Sequence, residues 1–258
     1  MIKLRIEFVG DSHCDKSYWN RALHEAQYNK ADCLWIVGDV CILVDGYMKL
    51  STAAAAYNKN VFIIDGNHDD HDFLQSLSVS PQRFPWGEIV CAGIAPFLWY
   101  IPRGTGFEWD GKKFLAIGGA YSIDKGPRLE RMSYGGQKEW WDQELIVDDD
   151  VEKAISSGKA DIMVCHDAPN IVDLREPMNG YPVFPQTLAN RERLDRVFDV
   201  AKPQILIHGH YHYSADREFA KPYESNGGLS WQSVRAISLG CNFDEDKKSM
   251  FLLNTEGI

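Results

Sequence analysis

The sequence predicts an α/β fold, because strand-like apolar runs alternate with helical stretches and each of the early runs halts at a polar, glycine-containing loop. Residues Ile2 to Val9 mix alternating and continuous apolar character with branched side chains and stop at Gly10-Asp11, as a buried strand entering a loop would. A helix-like stretch follows over Tyr18 to Asn29. Cys33 to Val37 is a second apolar run, ending at Gly38-Asp39. Helical composition from Tyr47 to Asn58, including Ala53 to Ala56, leads to a third run, Val61 to Ile64, which halts at Asp65-Gly66-Asn67-His68. Such alternation implies β-α-β units, whose reactive groups gather at the carboxyl ends of the strands. The three loops should therefore share one edge, and the pattern by itself suggests a single parallel sheet.

The middle of the chain changes style. Phe107-Glu108-Trp109, then Asp110-Gly111, then Lys113 to Ile117 is a hairpin signal and predicts antiparallel pairing. Residues 118–145 are rich in glycine, charge and aromatic side chains without periodicity, which predicts a long surface loop close to the edge where the three polar loops gather. Strand-like Asp161 to Val164 then presents Cys165-His166-Asp167. Helical Leu188 to Val200 leads into Gln204 to Ile207, which presents His208-Gly209-His210-Tyr211-His212. Trp231 to Leu239 and Met250 to Leu253 read as closing strands of a second sheet.

With 258 residues and 45% hydrophobic composition, the chain can bury one large core, and a single domain over 1–258 is expected. The six cysteines are scattered, with no C-x-x-C pair, and the N-terminal segment lacks the apolar stretch and cleavage site of a secretory signal. Reduced thiols in a cytoplasmic protein are the expectation. No run approaches the roughly 20 apolar residues that span a bilayer, so no membrane partner is expected. A formal charge of −10 argues against an extended basic groove for long nucleic acid.

Five separate segments carry metal-ligand residue types: D-x-H at Asp11 and His13, G-D at Asp39, G-N-H-D from Gly66 to Asp69, His166 alone, and G-H-x-H from Gly209 to His212. Each is weak by itself, since a lone histidine after a strand is more often a hydrogen-bonded structural residue than a ligand. Their order and their placement at strand ends give them weight together. This series resembles the calcineurin-like metallophosphoesterase family, whose motifs D-x-H, G-D, G-N-H-[DE], H and G-H-x-H occur here in the same order over roughly residues 9 to 212.

The resemblance implies a four-layer fold, a β-sandwich of two mixed sheets flanked by helices, with a dinuclear metal centre at one edge. Carried over by motif, Asp11, His13, Asp39 and His212 would hold one ion, and Asp39, Asn67, His166 and His210 the other, with Asp39 bridging. A carboxylate has the two oxygens and the charge to hold cations about 3.5–4 Å apart. Mixed oxygen and imidazole ligands without thiolate suit two divalent transition ions, manganese first and iron, zinc or cobalt as alternatives. The family mechanism is attack on phosphorus by a metal-bridging hydroxide. His68 would protonate the leaving oxygen or stabilise its charge, and Asp69 would orient His68 and favour its protonated form. The bland reading of Asp69 is a helix N-cap before Phe73.

His208, His210 and His212 alternate, so in an extended segment all three face the same way, and only the motif selects the last two. His208 stays a reserve ligand. His24 and His71 read as surface residues, and Asp15, Asp45, Asp65 and Asp70 as loop caps. Lys125, Arg128 and Arg131 are candidate substrate contacts, against the reading that they are merely solvated. Tyr121, Trp140, Trp141 and Tyr211 would either stack on a base or complete a core.

Protein phosphatases of the family resemble G-D-x-x-D-R-G followed by G-N-H-E, whereas this chain has Asp69 and places Ile42 at the third position after Asp39. The expectation is a phosphodiesterase acting on small phosphodiesters or nucleotides, including cyclic nucleotides. A nuclease on short single strands, a phosphomonoesterase or protein phosphatase, and a non-catalytic binding scaffold are the alternatives.

Overall fold

The structure is a computed structural model that describes residues 3–175, 178, 180, 182–225, 228–243 and 249–258. In chain order its first half contains β1 (Arg5–Val9), α1 (Lys16–Tyr28), β2 (Cys33–Ile36), α2 (Val44–Ala56), β3 (Asn60–Ile63), α3 (His71–Ser76), β4 (Ser80–Phe84), β5 (Gly87–Ala95) and β6 (Leu98–Tyr100). There follow β7 (Thr105–Trp109), β8 (Lys112–Ile117), α4 (Lys125–Ser133), α5 (Asp148–Ser156), β9 (Ile162–Cys165) and α6 (Pro185–Ala201). The chain closes with β10 (Ile205–His208), β11 (Ala215–Ser225), β12 (Gly228–Ser238) and β13 (Met250–Asn254).

The strands form a mixed sheet that doubles over at β5. One half runs β13-β1-β2-β3-β6, with β1, β2, β3 and β6 parallel and β13 antiparallel. The other runs β7-β8-β9-β10-β12-β11, parallel from β8 through β12 and antiparallel at both flanks. β5 pairs with β4 and β7 at its start and with β6 at its end.

Side-chain alternation explains why the early strands read as continuous apolar runs. Phe8, Trp35 and Phe62 face a central core shared with Phe114, Val164 and Ile207 of the other half. Their neighbours Leu34, Ile36 and Ile63 face outward, where Trp19 and Leu23 of α1 and Leu50 of α2 cover them. Leu115, Met163 and Leu206 likewise meet Val151 of α5 and Leu194 and Phe198 of α6. A strand buried on both faces has no polar side to show. The result is the four-layer sandwich flanked by helices, and the single parallel sheet is not formed.

Residues 118–145 depart from the irregular loop expected. They contain α4 and a 3₁₀ turn over Asp142–Glu144, and Arg128 is only 2% exposed. The segment is pinned by Arg103, which donates to the carbonyls of Gln143 and Leu145 and pairs with Asp65 and Asp150. The hairpin Thr105–Ile117 forms as expected, and polar β11, with Pro222 in it, is an edge strand that apolar patterning does not reveal.

The cysteine expectation also changes. Cys14 and Cys41 form a disulfide, with Cα atoms 4.8 Å apart. They lie far apart in sequence, but β1 and β2 are adjacent parallel strands, so the loops leaving them run side by side. The other four cysteines are buried and outside any disulfide. No helix among the described residues is long and apolar enough to cross a membrane.

Candidate metal centre

The loops leaving β1, β2, β3, β9 and β10 meet at one edge, where both half-sheets turn the carboxyl ends of their parallel strands. Two groups of ligand atoms converge there. Asp11, His13, Asp39 and His212 form one, and Asp39, His166 and His210 the other, each with its ligand atoms within 4.8 Å of one another. Asp39 belongs to both. Asn67 stands beside the second group, its Oδ1 3.1 Å from His166 Nε2.

Close packing of backbone and ligand explains the motif glycines. A Cβ at Gly38 would collide with the His166 ring, and one at Gly66 with the Asp39 carboxylate. The backbone is also drawn into an uncommon state, since His13, Cys14, Asp39, His210 and His212 all have positive φ, from 44° to 69°. Left-handed backbone at non-glycine residues costs energy and gathers at functional sites. It also shows why the alternation argument for the three histidines does not apply, because residues 210 and 212 are not extended. The side chain of His208 is hydrogen-bonded to Ser238 Oγ at 2.7 Å, burial depresses its pKa to about 4, and it joins neither ligand group.

The electrostatics fit a pair of cations. The Nε2 atoms of His13 and His212 face each other at 3.1 Å, and His212 Nε2 lies 3.2 Å from Asp11 Oδ2. Burial pushes the Asp39 carboxyl up, yet the imidazoles of His166, His68 and His13 outweigh it and hold the group well below the usual carboxylate range. Burial likewise disfavours charge on His166, but Asp39 and Asp11 raise its pKa to about 10. The hydrogen bond to Asp11 leads in raising His212 to about 11, whereas burial lowers His210 to about 4. Carboxylates and imidazole nitrogens this tightly gathered form a donor set for divalent transition ions. His166 Nδ1 donates to the Val37 carbonyl at 2.8 Å, which makes Nε2, facing Asp39 and Asn67, the nitrogen that a cation would take in place of its proton.

His68 stands on the wall of the cleft, its ring centroid 5.4 Å from that of His13. Asp69 does not orient it. The Asp69 carboxylate is buried and accepts from the amides of Val40, Cys41 and Gly66 and from the Tyr47 hydroxyl, so it ties the β2 loop to the β3 loop. Burial, with Asp39 adding to it, raises Asp69 to about 7. The helix cap is Asp70, which accepts from Phe73 N at 3.0 Å. His68 instead meets Arg128, whose Nη1 is 3.5 Å from Nδ1, and Asp124, whose Oδ1 is 3.9 Å from Nε2. Burial lowers the His68 pKa; Asp39 opposes and Arg128 reinforces the effect, so the expected bias toward imidazolium is reversed.

Sequence reading missed Ser122 and Glu144, which lie in an aperiodic stretch and gain meaning only through long-range contact. Asn67 Nδ2 donates to Ser122 Oγ, Ser122 Oγ donates to Glu144, and Arg128 donates to both. The three candidate substrate cations are all engaged by the protein: Arg128 as described, Arg131 with Glu139 at 2.6 Å, and Lys125 over the Trp140 ring at 3.9 Å. Trp141 is buried beside His71, which is itself buried and not a surface residue. Asp15 caps α1, but Asp65 is a buried ion-pair partner of Arg103, not a cap.

This arrangement, two ligand groups sharing one carboxylate at the edge of a β-sandwich with an imidazole at the rim, defines a dinuclear-metal class of site. The chain belongs to the calcineurin-like phosphoesterase family, whose family model matches residues 4–214. That family depends on a dinuclear metal centre and hydrolyses phosphoric esters. No curated protein matches the sequence. Among solved structures, TT1561 of Thermus thermophilus is similar at 10% identity and a TM-score of 0.51, covering 98% of this chain and 99% of that one. A second solved structure, at 9% identity and a TM-score of 0.55, covers 99% of this chain and 96% of its own. These likenesses concern the fold.

Proposed function

We propose that the protein is a metal-dependent phosphodiesterase acting on small phosphodiesters, cyclic nucleotides among them. The observation that carries this reading is that the cleft over the two ligand groups, about 440 Å³ and lined by Asp39, Asn67, His68, His210 and His212, continues into a second cavity of about 660 Å³. A phosphoryl group held at the ligand groups thus has room for a substituent on each side. Asp69 in the G-N-H-D motif and Ile42 in place of an aspartate also favour a diesterase over a protein phosphatase.

Two divalent ions, manganese for preference, would when bound supply the positive charge that activates a water and draws electron density from the phosphoryl oxygens. Asp11, His13, Asp39 and His212 would hold one, and Asp39, Asn67, His166 and His210 the other. His68 acts on the ester itself. Its Nδ1 accepts from Arg128, so Nε2 carries the proton and donates to the leaving oxygen as charge grows there. Asp69 holds the loops of Asp39 and His68 in register and takes no part at phosphorus.

The test is a hydrolysis panel in manganese comparing aryl phosphomonoesters, linear diesters, and 2′,3′- and 3′,5′-cyclic nucleotides. Diesters are expected to turn over faster. Cleavage of a monoester with no cleavage of any diester would sink the proposal.

A further inference from the structure

The larger cavity is the specificity pocket of the enzyme: we propose that it binds a bulky, uncharged and largely apolar substituent, of aryl type, on the phosphorus of the substrate. The inference rests on the diesterase reading and adds the class of ester. The cavity lies between α6 and the chain around residues 170–175, and it shares Ile123, His210 and Tyr211 with the cleft over the metal ligands. A group bonded to a phosphoryl at those ligands can therefore enter it without leaving the cleft. Its walls include Val172, Leu174 and Leu188, and its volume of about 660 Å³ falls within the range usual for small-molecule sites.

Surface hydrophobicity points to the same place. Ile123, Val183 and Leu188 are large apolar residues exposed by 43%, 63% and 45%, and all three line this cavity. Scattered exposed apolar side chains need no explanation, but apolar residues gathered at one concavity beside a reactive centre mark a binding surface.

Charge narrows the occupant further. Two arginines line the cavity, and each already has a partner in the protein, Arg191 in backbone carbonyls and the exposed Arg175 in a carboxylate. Arg175 pairs with Asp173, which also lines the cavity, at 2.6 Å, and Arg191 donates to the carbonyls of Ala168, Pro169 and Val172. A second phosphate, as in a nucleic-acid strand or a polyphosphate, would meet the Asp173 carboxylate there and could engage Arg175 only in competition with that carboxylate. An uncharged ring or chain loses nothing by entering. His68 lines the cleft but not the cavity, so with the leaving oxygen at His68 the cavity receives the group that remains on phosphorus.

The experiment uses the manganese-loaded protein and two diesters with the same leaving group, bis(4-nitrophenyl) phosphate and methyl 4-nitrophenyl phosphate. The aryl ester is expected to have a KM about 10–100-fold below that of the methyl ester, as burial of one ring implies. In Leu188→Glu, with Tm and metal content checked against the native protein, this KM ratio should fall toward one. Should that variant fail to fold, Val183→Glu serves, because Val183 is more exposed. Equal KM values for the two esters in the native protein would overturn the pocket assignment and leave the diesterase reading standing. A ratio that survives the glutamate substitution would overturn the location. Hydrolysis of neither ester would overturn the diesterase reading and the pocket with it.

Discussion

Asn67 is held by Ser122: its Nδ2 donates to the Ser122 hydroxyl at 3.0 Å, which turns Oδ1 toward the second ligand group, 3.1 Å from His166 Nε2. An amide is a useful ligand only when its oxygen, not its nitrogen, faces the cation, and Ser122 enforces that choice. For Ser122→Ala we expect affinity for one of the two ions to weaken by about 10–100-fold, a usual cost of losing such a partner. Ser122→Thr, which keeps the hydroxyl, should restore it. Metal titration followed by calorimetry reads the effect, and equal affinities in Ser122→Ala and the native protein would refute it.

His68→Ala and Asp39→Ala should separate chemistry from ligation. His68 is in neither ligand group, so its removal should lower kcat by about 10²–10⁴-fold while both ions stay bound. Asp39 is in both groups, and its removal should release both ions together. Elemental analysis after gel filtration distinguishes the two outcomes, and loss of metal from the His68 variant would remove it from the leaving-group role.

Arg103 is buried against Asp65, 2.6 Å away, and reaches three backbone carbonyls of residues 143–145. Truncation would strand a buried carboxylate and unpin the 118–145 segment. We expect Arg103→Ala to cost about 3–5 kcal/mol in urea unfolding. A loss under about 1 kcal/mol would show that water replaces the guanidinium there.

Acid sensitivity should come in part from His71. Burial holds its imidazole down at about 4, against about 6.5 for an unfolded histidine. Because the folded state resists the proton, the contribution to stability is complete above pH 6.5 and is lost as pH falls toward 4. The loss approaches roughly 3 kcal/mol at full protonation. Urea midpoints compared between about pH 7 and pH 4.5 should fall less steeply in His71→Gln than in the native protein, and parallel slopes would exclude His71 as the source.

The motif residues that converge at the sheet edge were legible because their constraints are local. A glycine where a Cβ would strike a neighbouring ligand, followed by a carboxylate, amide or imidazole at a strand end, leaves a short pattern at Gly38-Asp39 and Gly66-Asn67. The partners of those residues were not legible. Ser122, Glu144 and Arg128 reach Asn67 and His68 across long stretches of chain or through one another, and no spacing announces such contacts. Asp69 misled for the same reason: adjacency to His68 suggested contact, whereas the buried amides of Val40 and Cys41 claim its carboxylate. The disulfide between Cys14 and Cys41 became visible only once β1 and β2 were paired.

Each ligand group draws on both halves of the doubled-over sheet: His212 joins Asp11, His13 and Asp39, and His166 and His210 join Asp39 again. The ions that serve the reaction would then be rivets between the two layers, bound by the closed sandwich and released by the opened one. By mass action, each hundredfold excess of free metal over its dissociation constant adds about 2.7 kcal/mol to the folded state. Metal supply would thereby govern stability as well as rate, and a chelator should first be felt as a lowered melting temperature.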